Sequence, residues 1–265
     1  MKKLISLLLC LAMVLSLACF ASAEAVEATD ETTEILWDEN HETILLEMGA
    51  EYGEGAKTFA LVTNHLNQVT ICTVHTDEET VGAALAALNI IAGVDSDFGL
   101  YVKTVDGYLA DYDTDGSYWA FYIDGEYATT GVDSTEINEG STYLLQVEGV
   151  EMEDGTTIPL ENGKNYGLGD KTFVLQVIDG EGNEIAVAVS TDADTVGAAL
   201  AELGIVAGED SDFGLYVKTV NNVTADYDTD GSYWAFYIDG EYATTGVDST
   251  EINEDAVYTL QVEKA

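Results

Sequence analysis

The side chains best suited to binding lie in two kinds of run, and each run occurs twice. Tyr118-Trp-Ala-Phe-Tyr-Ile123 and Tyr233-Trp-Ala-Phe-Tyr-Ile238 set large aromatics at almost every position. In a strand, alternation puts Trp119, Phe121 and Ile123 on one face and Tyr118, Ala120 and Tyr122 on the other. One face must be core, and the other then offers broad rings with polar tips to a flat amphipathic ligand. Tyr101, Tyr112 and Tyr127 are placed to join that surface. The competing reading is that an aromatic strand simply packs a sheet. The candidate contact residues are Tyr101, Tyr118, Trp119 and Tyr122, with Tyr216, Tyr233, Trp234 and Tyr237 as their counterparts.

The second run is acidic. Asp111-Tyr-Asp-Thr-Asp-Gly116 and Asp226-Tyr-Asp-Thr-Asp-Gly231 match the opening of a calcium loop, in which alternate carboxylates converge on one ion and glycine allows the sharp turn. That motif also needs a bidentate glutamate at its twelfth position, where Tyr122 and Tyr237 stand. The run is therefore not an EF-hand. It is an acidic hairpin loop, or a weak extracellular calcium loop built on Asp111, Asp113, Asp115, Asp226, Asp228 and Asp230 and completed by other oxygens. Catalysis finds little support. His41, His65 and His75 have no counterparts in the second copy, and no nucleophile or His/Cys cluster shows a local pattern. Among 50 carboxylates, none is singled out as a glycosidase pair.

These runs sit inside a duplication. Asp95 to Glu139 recurs as Asp210 to Glu254 with 41 of 45 residues identical, the differences being Asp106-Gly-Tyr-Leu109 against Asn221-Asn-Val-Thr224. The chain is a tandem of one small module. Met1 to Ala23 is a secretion signal with Lys2 and Lys3, an apolar run and Ala21-Ser-Ala23. Leu17-Ala-Cys19 loosely suggests a lipoprotein site, with Ser16 a poor match. Residues 24–45 form an acidic extension, 46–148 the first module, 149–159 a polar linker with the only proline, and 160–265 the second module. Removing the signal leaves Cys72 as the only cysteine, so the mature monomer has no internal disulfide. Six lysines then face 50 acidic residues, with no arginine. Nucleic acid is excluded because nothing could displace phosphate counterions, and anionic surfaces would repel the chain. No second apolar stretch is long enough to span a bilayer, and Tyr258 to Ala265 carries no sorting motif.

Local patterns supply the elements that must position the rings. Lys57 to Thr63 and Val69 to Val74 alternate as a hairpin. Val81-Gly-Ala-Ala-Leu-Ala-Ala-Leu88 has a helical face, preceded by capping-box spacing at Thr76-Asp-Glu-Glu79 and stopped at Asn89, where the second copy has Gly204. Strands follow at Gly99 to Val105, Tyr118 to Ile123, around Tyr127 and at Tyr143 to Glu148, with Asp124-Gly125 and Asp239-Gly240 as hairpin turns. The expected fold class is α+β: two tandem modules, each a mostly antiparallel sheet with one helix.

The order Val-Gly-Ala-Ala-Leu, Phe-Gly-Leu-Tyr-Val-Lys-Thr-Val, Tyr-Trp-Ala-Phe-Tyr-Ile-Asp-Gly-Glu-Tyr and Thr-Gly-Val-Asp-Ser-Thr-Glu-Ile resembles the transcobalamin-like C-terminal domain. That is the small β-rich domain of the cobalamin carriers, also found in secreted bacterial proteins. The likeness covers Lys57 to Glu148 and Lys171 to Glu263. It implies a ligand side near the Tyr-Trp strand and the preceding Gly-Leu-Tyr strand, and cobalamin as ligand. In the animal carriers cobalamin lies between this domain and a large helical domain; here a second small module stands in the helical domain's place. The resulting expectation is an extracellular, non-catalytic binding protein that requires no cofactor. Its partner is a small amphipathic ligand, with cobalamin or a related corrinoid leading, or a cell-surface or uptake protein. The rival is an adhesion protein with a protein or polysaccharide partner.

Overall fold

The computed structural model describes residues 43–96, 99–150, 153–211 and 214–265. The leader, Cys10, Cys19, His41 and nearly all of the 24–45 extension lie outside the described residues. Two compact units divide the chain, the first running to residue 65 and over 70–150, the second over 66–69 and from 151 onward.

The first unit runs β1 (Glu51–Tyr52), β2 (Lys57–His65), β3 (Gln68–Thr76), α1 (Val81–Ala87), β4 (Ile91–Ser96), β5 (Gly99–Val105), β6 (Tyr108–Leu109), α2 (Tyr112–Asp115), β7 (Tyr118–Ile123), β8 (Glu126–Tyr127) and β9 (Thr142–Glu148). Its main sheet has the order β3-β2-β9-β7-β8, and β4-β5-β6 form a separate three-stranded sheet. The last strand is the key placement: β9 lies between β2, which it meets in parallel, and β7, which it meets antiparallel. A parallel pair cannot be closed by a tight turn, so the chain between β2 and β9 must cross over. That crossover holds α1 and the small sheet, which cover one face of the main sheet. Phe59, Leu61, Cys72 and Val74 meet Val81, Leu85, Ile90, Val102, Trp119, Phe121, Tyr143 and Leu145 in one core.

The second unit repeats the plan through β10 (Asn165–Tyr166), β11 (Lys171–Ile178), β12 (Glu184–Thr191), α3 (Val196–Glu202), β13 (Val206–Ser211), β14 (Gly214–Val220), β15 (Val223–Thr224), α4 (Tyr227–Asp230), β16 (Ser232–Ile238), β17 (Glu241–Tyr242) and β18 (Val257–Lys264). β18 is inserted parallel to β11 and antiparallel to β16. Phe173, Leu175, Val196, Leu200, Val217, Trp234 and Tyr258 build its core.

The expected α+β class is corrected. Strand makes up 48% and helix 13% of the described residues, which makes the architecture mostly β; the main sheet of each unit is mixed, with β9 and β18 each paired in parallel on one side, while the two small sheets are antiparallel. The helical periodicity at Val81 yields only seven residues, and the other helices among those described are as short or shorter. The helix starts at Thr80, whose side chain accepts from the Ala83 amide, not at Thr76, whose hydroxyl accepts from the Glu78 amide. It ends where Asn89 (φ 54°) and Gly204 (φ 64°) enter the left-handed region. Strand β4 escapes pattern reading because Ile90, Ile91, Ala92 and Gly93 do not alternate in polarity.

Two of the four positions at which the duplicated stretches differ have a structural reason. These, Asp106-Gly107 or Asn221-Asn222, form the turn after β5 or β14, and that turn clasps the segment leading into its own unit; the other two lie in β6 or β15. Leu46 N donates to Asp106 Oδ1 at 2.6 Å and Gly107 N to Thr43 Oγ1 at 2.8 Å. In the second unit Leu160 N donates to Asn221 Oδ1 at 2.7 Å and Asn222 N to Thr157 Oγ1 at 2.7 Å. The lead segments differ in sequence, so the turns that hold them differ too. Leu46, Ile158 and Leu160 are buried by this docking, which takes Ile158 of the linker into the core.

Gly82 and Gly197 test how closely the helix sits on the chain. A Cβ on Gly82 would lie 2.8 Å from the Asp133 backbone, and one on Gly197 would meet the Asp248 backbone at 2.8 Å and its carboxylate at 2.2 Å. Alanine improves helix propensity by up to about 1 kcal/mol, but overpacking costs roughly 1–3 kcal/mol. Gly82→Ala and Gly197→Ala are therefore expected to lower the denaturation midpoint; a rise would show that the helix packs more loosely than described.

Candidate functional site

Strand β7 sorts its side chains as its alternation requires. Trp119 and Phe121 point into the core, with Trp119 only 7% exposed and its indole N–H donating to the Lys103 carbonyl at 3.1 Å. Trp234 is likewise 7% exposed and donates to the Lys218 carbonyl at 3.2 Å. Both tryptophans thus leave the set of contact residues, because their polar tips are satisfied by backbone and their faces by the core.

Tyr118 and Tyr122 face outward and are tied together. Glu148 on β9 stands directly opposite Tyr118. Tyr118 Oη donates to its Oε2 at 2.7 Å, and Tyr122 Oη donates to its Oε1. Ala120 lies between the two tyrosines on the strand and is 1% exposed, although it sits on the outward face. A bulkier residue there would lift the rings off the sheet. Tyr112 meets Tyr118 at 6.4 Å between ring centres, and Tyr127 meets Tyr122 edge-on at 5.2 Å. In the second unit Tyr233 and Tyr237 donate to the two oxygens of Glu263, with Tyr227 and Tyr242 at their flanks. The hydrogen bond to Glu148 pushes the hydroxyls of Tyr118 and Tyr122 up to about 12. The bond to Glu263 does the same to Tyr237 and raises Tyr233, while those two donors hold Glu263 below the usual carboxylate range.

The remaining tyrosines separate the two units. In the second, Tyr216, Tyr227 and Tyr233 with Asp228 line a shallow open cavity of about 470 Å³. Tyr216 is 37% exposed there. Its counterpart Tyr101 is half-buried, and its hydroxyl is sealed from solvent with no hydrogen-bond partner among the described residues. The glutamate clamps and Asp228 as a groove wall were not singled out in the sequence. Glu148 is one acid among 50, and only its register opposite Tyr118 distinguishes it.

The calcium loop is corrected. Residues 112–115 and 227–230 form short helices, in which alternate residues project about 200° apart and cannot converge on one ion. Asp111 caps its helix by accepting from Asp113 N and pairs with Lys103 at 3.0 Å. Asp226 accepts from the amides of Asp228 and Thr229. Asp115 and Asp230 accept from the amides of Ser117 and Ser232, each at 2.9 Å. Asp113 and Asp228 remain exposed. Among the described residues no three His, Cys, Asp or Glu side chains form a group able to hold a metal ion.

Two further residues have structural roles. His75 Nδ1 lies 3.0 Å from Thr58 Oγ1, and in the second unit Ser190 makes the same link to Thr172 at 3.0 Å. Cys72 is buried, and desolvation pushes its thiol up to about 12.

The profile of a domain of unknown function, DUF4430, matches residues 78–149 and again 193–263. No curated protein matches the chain. A crystal structure of a candidate metal binding protein from Ruminococcus gnavus ATCC 29149 is similar at 29% identity; the likeness covers 36% of this chain and 98% of that one, with a TM-score of 0.35. Haptocorrin in complex with Cbi is similar at 17% identity over 38% of this chain and 27% of haptocorrin's own length, with a TM-score of 0.29. The two matches of the profile together take in more than half of the sequence, and the chain belongs to the DUF4430 family, with the domain present in two copies.

Two outcomes are expected from this geometry. The clamped hydroxyls bind their protons more tightly in the folded state than at the ordinary value of 10.0, so the stability they contribute is complete below pH 10 and is lost as pH rises toward about 12. Glu263 works in the opposite sense, its contribution being present above the usual carboxylate range and lost as pH falls through its lowered value. Urea midpoints followed across pH should show the alkaline loss, and the double variant Tyr122→Phe/Tyr237→Phe should flatten it; an unchanged alkaline limb would assign that loss elsewhere. Separately, Tyr101→Phe removes a buried unpaired hydroxyl and should stabilise by about 1 kcal/mol, whereas Tyr216→Phe should change stability by less than about 0.5 kcal/mol.

Proposed function

We propose that this chain is a secreted, non-catalytic binding protein whose ligand stacks on the tyrosine groove formed by Tyr216, Tyr227, Tyr233 and Asp228. The observation that carries the reading is the groove itself: three rings with polar tips around an open cavity of about 470 Å³, held by a carboxylate that fixes one of them. Binding pockets combine apolar ring surface with a few placed polar groups, and this groove has both. The ring orientation is preset by Glu263, so little side-chain freedom is lost when a ligand docks.

The finer proposal is a flat amphipathic ligand, with cobalamin or a related corrinoid in the lead. Its support is the resemblance of the motif order to the transcobalamin-like C-terminal domain. The absence of a catalytic role is proposed on similar ground, since the histidine nearest to a repeated position, His75, serves a structural link that a serine replaces in the other unit. A second reading, adhesion to a polysaccharide or protein, draws on the exposed Tyr127 and Tyr242 at the sheet edges, each 59% exposed.

Cobalamin, cobinamide and haem added separately decide between them. A ligand present at a hundredfold its Kd stabilises the folded state by about 2.7 kcal/mol, so the groove ligand should raise the melting temperature by several degrees and perturb the corrinoid visible spectrum. Tyr233→Ala should abolish both effects. Unchanged melts and spectra with all three compounds would remove the corrinoid proposal and leave adhesion.

A further inference from the structure

The duplicated stretches are nearly identical, yet Tyr101 and Tyr216 differ in exposure, and beside them one residue just outside the duplication differs. Tyr101 on β5 pairs with Val94 on β4, whereas Tyr216 on β14 pairs with Glu209 on β13. Two residues along from each tyrosine stands a lysine on the same side of its strand. In the first unit Lys103 bonds Asp111 at 3.0 Å and lies over the Tyr101 ring, with Nζ 5.9 Å from the ring centre. In the second, Lys218 is drawn to Glu209 at 2.9 Å, with Asp226 at 3.6 Å. A carboxylate attracts an ammonium more strongly than a ring face does. Glu209 therefore takes Lys218 toward the neighbouring strand, where Val94 offers Lys103 nothing. Tyr101 remains half-buried, while Tyr216 is exposed and lines the cavity with Tyr227, Asp228 and Tyr233.

We infer that the second unit's groove is a site for an organic ammonium ion, and that Glu209 is the residue that keeps it open by holding Lys218 aside. The inference rests on the reading of that groove as the binding surface and names its ligand class. The first unit supplies the geometric precedent, since its own lysine ammonium sits over the corresponding ring. In the second unit the cation must come from outside. Charge complementarity points the same way: Asp228 stands on the wall, and the chain carries a formal charge of −42. Such a field concentrates cations near the surface. Ring faces prefer a weakly hydrated, alkylated ammonium over a compact hydrated metal ion, which would have to shed its water to reach them. Lys103 occupies the corresponding ring in the first unit, so one such site is expected among the described residues.

Choline is the probe, compared with its neutral dimethylbutanol isostere, in which carbon replaces nitrogen. Tyrosine ring resonances of the full chain should shift with choline for Tyr216, Tyr227 and Tyr233, with one equivalent bound and a much weaker response to the alcohol. Glu209→Val should weaken choline binding about fivefold, the effect expected of losing one cation–π contact. Val94→Glu, or Lys103→Gln, which leaves the sheet pairing intact, should add a second equivalent. Nitration with tetranitromethane, mapped by mass spectrometry, reads the gate without any ligand: Tyr216 should react faster than Tyr101, and Glu209→Val should bring the two rates together. Equal responses to choline and the alcohol, two equal sites in the parent chain, or nitration rates indifferent to Glu209 would each overturn the inference. A negative corrinoid titration alongside one bound choline would reject the corrinoid proposal alone and leave this one standing.

Discussion

Everything distinctive in each unit follows from inserting the final strand in the middle of the main sheet. β9 and β18 pair in parallel on one side and antiparallel on the other. The parallel side forces a long crossover, and the crossover delivers the helix and the small sheet to one face. That decides which face of the Tyr-Trp strand is core. The antiparallel side brings Glu148 and Glu263 opposite Tyr118 and Tyr233, and so creates the clamps on the other face. Burial of the tryptophans and presentation of the tyrosines are two results of one pairing.

The two units also illustrate how near-identity in sequence can leave sites unequal. Tyr101 and Lys103 recur as Tyr216 and Lys218, yet the lysine bonds Asp111 in one unit and Glu209 of the neighbouring strand in the other. The neighbour at that register is valine in one copy and glutamate in the other. Residues outside the duplicated stretch therefore set the exposure of residues inside it. Of the four changes within the stretch, the first two belong to a different task, the docking of each unit's own lead segment, while Tyr108 packs on His65 and Trp119 where the second unit has Val223.

Much of the local structure could be read from the chain. The alternation of Tyr118 to Ile123 gave the correct division of faces, and Asp124-Gly125 takes positive φ at both positions, as its hairpin turn requires. The helix at Val81 and its left-handed stop were legible from periodicity and from the Asn/Gly pair at Asn89 and Gly204. The class is not legible in the same way, because the Val81 periodicity covers only two turns of helix and parallel pairing leaves no mark in a strand's own sequence. The calcium reading failed for a related reason: alternate aspartates converge only on extended or looped backbone, and Asp111 caps a helical turn that swings them apart.

The sequence by itself settled the duplication, the acidic surface, the lone cysteine among the described strands and the aromatic strand with its two faces. These depend on residue type and short-range spacing, which a linear chain records directly. The tertiary structure decided that Trp119 and Trp234 are core, that Glu148 and Glu263 each hold two tyrosines, and that Tyr216 is open where Tyr101 is covered. Those outcomes rest on which strands lie side by side and in what register, and residues 26 to 30 apart in the chain meet only after the sheet has formed.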